Sequence, residues 1–448
     1  MSKTISEIQA DFASGATTSL TETERALALI DAMDGEGART FTRVYHDRAR
    51  GAAKASDEAR ALGVAGGPLS GVTISIKDLF DVAGEVTLAG SRVRDRSAPA
   101  TKDAPIVARL RAAGAVIIGR TNMTEFAFSG LGINPHYDTP RNPWDRAKER
   151  IPGGSSSGAA VSVADGMAVA AIGTDTGGSV RIPSALCGLT GFKPTARQVP
   201  TAGAFPLSTT LDSIGPLANS VACCALIHQV MSGAPTRPLV ARAVSGMTLG
   251  VPQTIFQDDM EEHVSAAFQS ALSRLSAAGA RLVDIPFDVT MDIVAANATG
   301  GFAAPEAFAT LRDLLERDEE RFDPRVSVRV KRGAGMSAAD YIKLLEDRTA
   351  IRAKADAASR DFDALLLPTT PIIAPPIAEL SASDEAYHAA NMLMLRNSSF
   401  GNFLDRCATS LPIHGAGEAP VGLMVMGETL GDQKALEVAA GIEAALKA

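Results

Sequence analysis

The residues best suited to chemistry lie between Ile151 and Thr195. One segment reads Pro152-Gly153-Gly154-Ser155-Ser156-Ser157-Gly158. A second reads Gly173-Thr174-Asp175-Thr176-Gly177-Gly178-Ser179-Val180-Arg181-Ile182-Pro183. Taken singly, each is an ordinary glycine-rich loop, and neither has the lysine placement of a nucleotide-binding P-loop. Together they supply what acyl transfer needs. Glycine tolerates positive φ and close backbone approach, so the N–H groups of Thr176, Gly177, Gly178 and Ser179 can be turned toward one point. Such a nest suits an oxyanion, and loss of one donor typically costs ~10²–10³ in rate. A serine closing the nest, Ser179, is placed to be a nucleophile and requires a base. None of the six histidines (His46, His136, His228, His263, His388, His414) is near it in sequence. A lysine kept neutral by burial can serve instead, and Lys77 is the candidate. Alone, Ile76-Lys77-Asp78 would describe a solvated lysine at a strand end; Lys77 gains weight only beside the two serine segments.

These groups need a scaffold. Gly71 to Lys77 alternates with period two, which predicts a strand with Val72, Ile74 and Ile76 on one side and Thr73, Ser75 and Lys77 on the other. Two helix–Gly–strand units follow. In the first, Asp103 caps a helix to Ala113, Gly114 ends it, and Ala115–Ile118 is a short strand. In the second, Asp259 and Glu262 form a capping box; Val264, Phe268, Leu272 and Leu275 line one helix face, and Arg281–Ile285 is the strand. Residues 1–62 read as helical, with a charged, alanine-rich helix from Arg43 to Ala61. Residues 63–230 hold the chemistry-bearing segments, and 304–360 form a helical periphery. A strand at Ala364–Leu367, another near Val421–Met426 and a helix from Asp432 to Leu446 close the chain. No repeat and no low-complexity linker divides it, which favours one α/β domain over residues 1–448.

Composition narrows the function. With 448 residues and 46% hydrophobic content the chain can bury a large core. Its net charge of −8 argues against a general nucleic-acid binder, which needs a basic surface. The start, MSKTISEIQADF, lacks the apolar core of a signal peptide, and no run approaches the roughly 18 apolar residues of a membrane span, so a cytoplasmic protein is expected. The four cysteines (Cys187, Cys223, Cys224, Cys407) show no CxxC spacing and read as reduced core residues. The histidines have no metal-binding spacing.

Over nearly its whole length the chain resembles the amidase signature family. The resemblance rests on Gly71-Val72…Ile76-Lys77-Asp78, on Thr121-Asn122-Met123-Thr124-Glu125-Phe126, and on the two glycine–serine segments. Further matches are Cys187-Gly188-Leu189…Gly191-Phe192-Lys193-Pro194-Thr195, Asp212-Ser213-Ile214-Gly215-Pro216, Leu367-Pro368-Thr369-Thr370-Pro371 and Pro420-Val421-Gly422-Leu423. The resemblance implies an α/β/α sandwich around a large mixed, mostly parallel sheet. It implies Ser179 as nucleophile, Lys77 as ultimate base and Ser155, carried on a cis peptide bond, as the bridge between them. The N–H groups of Thr176, Gly177, Gly178 and Ser179 would form the oxyanion hole. Asp175 and Arg181 are expected to be structural and paired. Met123, Phe128, Leu131, Gly153 and Gly154 are candidates for the substrate pocket, although single apolar loop residues more often simply pack. Ser157-Gly158-Ala159 stands where many relatives carry Gly-Gly-Ser. The implied activity is hydrolysis of a small-molecule amide, with no metal or organic cofactor, no nucleic-acid or membrane partner, and a homodimer as the expected assembly. Two alternatives remain: a glutamine-hydrolysing subunit of an amidotransferase, and a non-catalytic scaffold that keeps the fold.

Overall fold

The alternation from Gly71 onward becomes a strand buried on both sides, because helices cover both faces of the sheet that it enters. The computed structural model describes residues 3–447. The strands are β1 (Phe41–Val44), β2 (Thr73–Lys77), β3 (Val116–Thr121), β4 (Ala170–Asp175), β5 (Thr190–Lys193) and β6 (Ser213–Ala218), followed by β7 (Thr248–Pro252), β8 (Arg281–Ile285), β9 (Ala364–Pro368), β10 (Ala408–Pro412) and β11 (Gly422–Met426). They form one eleven-stranded sheet in the order β1-β3-β2-β4-β6-β5-β10-β11-β9-β7-β8.

The side-chain period of two sorts the layers. Leu366 of β9 and Val425 of β11 join a core with the helices Val221–Ser232, Glu262–Ala277 and Asp432–Lys447. Their neighbours Leu365, Leu367, Met424 and Met426 point the other way, into a core with Val289–Ala296, Ala338–Ser359 and Asp384–Phe403. Each such buried aliphatic side chain contributes about 1.5–3 kcal/mol relative to exposure. The expected α/β layering is therefore present.

The sheet is mixed, but it is not mostly parallel. Parallel pairing is confined to β3-β2-β4 and β9-β7-β8, where helical crossovers return the chain in the same direction. The centre, β4-β6-β5-β10-β11-β9, and the edge pair β1-β3 are antiparallel. Local details also differ from expectation. Residues 41–44 extend along β3, so the helix expected from Arg43 begins at His46. Asp103 accepts a hydrogen bond from Ala83 N and pairs with Arg111, while Ala104 caps the helix Pro105–Ala112. Glu261, not Asp259, precedes the helix Glu262–Ala277, and no capping box forms there. All four cysteines are buried and unpaired. Among the described residues, no helix is long and apolar enough to cross a membrane.

Candidate active site

Lys77 ends β2, the middle strand of the parallel run β3-β2-β4, and its side chain is fully buried. Its Nζ donates to Ser155 Oγ at 2.7 Å and to Thr174 Oγ1 at 2.9 Å. Among the described residues it forms no ion pair. Burial pushes its pKa down to about 7, against the pull of the Asp212 and Asp175 carboxylates. A lysine in this state is a competent base near neutral pH.

Ser155 follows a cis Gly154–Ser155 peptide. Its loop is held from the segment after β3: Thr124 N donates to Ser155 O, Gly154 N to Gly130 O, and Gly158 N to Asn122 O. Gly154 must be glycine here, since a Cβ would lie 2.5 Å from Gly132 N.

Ser179 is almost fully buried and lies between β4 and the short helix Arg181–Leu186. The turn that carries it is built around Asp175. This carboxylate accepts from Gly178 N (2.9 Å), Val180 N (3.1 Å) and Asn402 Nδ2 (2.9 Å). It is also gripped by Arg181 through Nη2 at 2.8 Å and Nε at 3.0 Å, as the expected pairing requires. Burial alone would raise the Asp175 pKa; the Arg181 guanidinium outweighs it and holds the carboxyl well below the usual range. From the helix Asp384–Phe403, Ser398 Oγ donates to Gly177 O at 2.6 Å. Gly178 has φ +131°, and a Cβ there would fall 2.0 Å from Ser398 Oγ.

The four nest N–H groups are therefore not equivalent. Gly178 N–H is committed to Asp175, whereas those of Thr176, Gly177 and Ser179 donate to no protein acceptor among the described residues. Lys77 and Ser155 are in contact; no hydrogen bond joins Ser155 to Ser179 among the described residues. Of the pocket candidates, Gly153 and Gly154 immediately precede Ser155, while Met123 and Leu131 are fully buried in apolar clusters. Phe128 lies under the guanidinium of Arg329, 4.6 Å from the ring centroid, and its carbonyl accepts from Arg329 Nη1.

Several other participants carry little or no signal in the sequence. Thr174 lies inside the motif, two residues before Thr176 on the same strand face, and that spacing could have flagged it. Asp212 lies in a family motif; its Oδ1 accepts from Thr176 Oγ1. Ser398, Asn402 and Arg329 carry no local signal, because their contacts with the site span some 200 residues or more of sequence.

The fold and this constellation of buried lysine, serines and glycine-rich turn define a hydrolase acting on carbon–nitrogen bonds, and comparison with known proteins agrees. The sequence model of the family described as Amidase matches residues 23–436. The 2-amino-5-chloromuconic acid deaminase of Comamonas testosteroni is 38% identical, covering 94% of this chain and 92% of that protein. A glutamyl-tRNA(Gln) amidotransferase subunit of Thermobifida fusca is 33% identical, covering 98% of this chain and 95% of that protein. A crystal structure of an amidase superposes with a TM-score of 0.88 at 31% identity, covering 99% of both chains. The chain belongs to the amidase signature family.

Proposed function

We propose that this protein is an amidase working through a Ser179 acyl-enzyme, and that its substrate carries a carboxylate. The observation that carries the first part is the fully buried Lys77, bonded to Ser155 and with a pKa pushed down to about 7. Neutral Lys77 accepts the proton of Ser179 through Ser155 as Ser179 Oγ attacks the amide carbonyl. The oxyanion is received by the N–H groups of Thr176, Gly177 and Ser179, which are free of protein acceptors among the described residues. Gly178 N–H orients the turn through Asp175. As the tetrahedral intermediate collapses, Ser155 passes a proton to the leaving nitrogen and the C–N bond breaks. Water then attacks the acyl carbonyl, gives its proton to the same relay, and the acid leaves Ser179 regenerated.

The second part rests on Arg329. It is half-buried on the helix Pro324–Lys331, stacked on Phe128, and forms no ion pair among the described residues. Burial pushes its pKa down, so an anion beside it is favourable. Phe128 stands two residues before Gly130, which holds the Ser155 loop. The Comamonas testosteroni relative is named for an acid substrate, in keeping with this reading.

The test is amide hydrolysis with matched acid and neutral substrates. Ser179→Ala should abolish turnover and the acyl-enzyme mass adduct seen on rapid quenching; an active Ser179→Ala enzyme would refute the mechanism. Arg329→Met should raise KM roughly ten- to a hundredfold for the acid alone, the effect of losing one charge-assisted contact. Equal losses for both substrates would remove Arg329 from recognition. The similarity to an amidotransferase subunit supports a second reading, glutamine hydrolysis within a complex. Turnover of glutamine that needs an added partner chain would favour it.

A further inference from the structure

We infer that Asp212 is a positioning residue of this site: it anchors the first residue of the glycine-rich nest, and its carboxylate lines the same small cavity as the Thr174 hydroxyl that holds Lys77. The assignment rests on the proposed role of Lys77 as base.

The sheet register brings Asp212 to the site. In the antiparallel pair of β4 and β6, Thr174 faces Ile214 and Asp175 faces Ser213. One step beyond, Asp212 meets Thr176, and Thr176 Oγ1 donates to Asp212 Oδ1 at 2.5 Å. Thr174, two residues earlier on the same strand face, holds Lys77 Nζ. Thr174, Thr176 and Asp212 line one cavity of about 210 Å³. A single carboxylate thus touches the start of the nest and sits across a small cavity from the group that holds the base.

Asp212 is itself held. Leu207 N and Ser208 N donate to it at 3.1 Å each. The 207–210 loop is fastened in turn by Glu306 of the helix Ala303–Asp318: Glu306 Oε2 accepts from Ser208 Oγ (2.8 Å) and Thr210 N (3.0 Å), and Oε1 from Tyr341 OH (2.7 Å). The hydroxyl of Thr176 therefore receives a fixed partner, and the peripheral helices gain a route to the nest.

The charges around the pair decide the sign. Facing Lys77 are Asp212 and Asp175, and Asp175 is already neutralised by Arg181, with Lys193 beyond. Facing Asp212 are Lys77 and Glu306. Among the described residues Asp212 is thus the carboxylate near Lys77 that forms no ion pair. Burial raises its pKa to about 6, against hydrogen bonds from Thr176, Ser208 and Leu207, and Glu306 raises it further. Above that pH its charge favours protonated Lys77 and delays the appearance of the neutral base.

The experiment is the pH dependence of kcat/KM for the full chain and its Asp212→Asn, Thr176→Val, Thr176→Ser and Lys77→Ala variants. Asp212→Asn should lower kcat and move the acid limb down by roughly 1 pH unit, the effect of removing one nearby opposite charge. Thr176→Val should move it the same way by less, because Asp212 loses a stabilising donor, and Thr176→Ser should restore both limb and rate. A merely structural role would lower the rate without moving the limb, so a stationary limb in Asp212→Asn overturns the inference. If Asp212→Asn does not fold, the Thr176 pair decides: no limb difference between Val and Ser overturns it. An active Lys77→Ala enzyme would instead overturn the assignment of the base, a separate failure.

Discussion

Two lysines are fully buried in this sheet, and only one of them has company that chemistry can use. Lys77, at the end of β2, donates to the hydroxyls of Ser155 and Thr174. Lys193, at the end of β5, donates to the carbonyl of Pro194 at 2.8 Å. Burial pushes both pKa values down, to about 7 for Lys77 and about 8 for Lys193, where the Arg181 charge acts in the same direction. A neutral lysine is thus a product of desolvation and is not by itself a sign of catalysis. A hydroxyl can relay a proton from a nucleophile to the amine; a peptide carbonyl cannot. The partner atom separates base from buried structural amine.

The sharpest way to break this contrast is to place the same side chain at both sites. Lys77→Met should reduce kcat/KM by at least ~10⁴, the scale expected when one member of a cooperating catalytic set is removed. The Lys77→Met protein should nevertheless be more stable. In the folded state the Lys77 pKa is lowered from 10.5 to about 7, so the folded form carries its full penalty below pH 7 and sheds it as pH rises to about 10.5. Relieving it is worth at most roughly 4–5 kcal/mol at neutral pH. A higher thermal midpoint near pH 7, fading toward pH 10.5, checks the sign. For the native enzyme the same titration gives an acid limb of kcat/KM near pH 7, with activity rising as pH increases. A profile that peaks well below neutrality would contradict a lysine base.

Next in size is the nest. Gly178→Ala puts a Cβ against Ser398 Oγ and Ile182 Cδ1 at φ +131°. Ser398 is pinned to Gly177 O and cannot yield without releasing the turn. The variant should lose ~10²–10³ in kcat, as expected for a misaligned oxyanion donor set. Ser398→Gly in the same chain removes the nearer obstacle and should recover part of that loss, leaving the backbone strain. No recovery would mean that the defect lies in φ and the Ile182 Cδ1 contact, not in the Ser398 hydroxyl.

The contrast between the lysines also marks what the sequence can show. Lys77 and Ser155 are 78 residues apart, yet the sequence couples them, because Ser155 and Ser179 lie in motifs dense in glycine and serine, and a nucleophilic serine with no histidine nearby calls for a lysine base. Gly173 to Pro183 reveals the turn and the Asp175–Arg181 pair in the same way. The support for that turn is invisible. Ser398 and Asn402 are four residues apart on the helix Asp384–Phe403, and nothing local in the sequence says that it faces Asp175. The sheet is legible only in part for a related reason. Helix–Gly–strand units announce parallel pairing, and they are right for β2-β3 and β7-β8. The central strands β5, β6 and β10 are joined by long-range antiparallel registers with no hairpin turn to reveal them. Phe41–Val44 is too short and too charged in context to stand out, and it is extended only because β3 offers it an edge.

The smallest expected change in activity belongs to Lys193→Met, and it is the one that tests the contrast itself. Lys193 borders the Asp175–Arg181 pair, so its ammonium, when present, adds a second cation beside a carboxylate already satisfied by Arg181. Removing it takes away that repulsion with Arg181 and one hydrogen bond to a carbonyl. The acid limb of kcat/KM should stay where it is and kcat should change by less than about threefold, a difference of ~0.6 kcal/mol. Stability should rise between about pH 8 and 10.5, and by more below pH 8, because the folded-state pKa is again the lowered one. If Lys193→Met instead moved the limb, the two lysines would titrate as one system, and the partner atom would no longer be what distinguishes them.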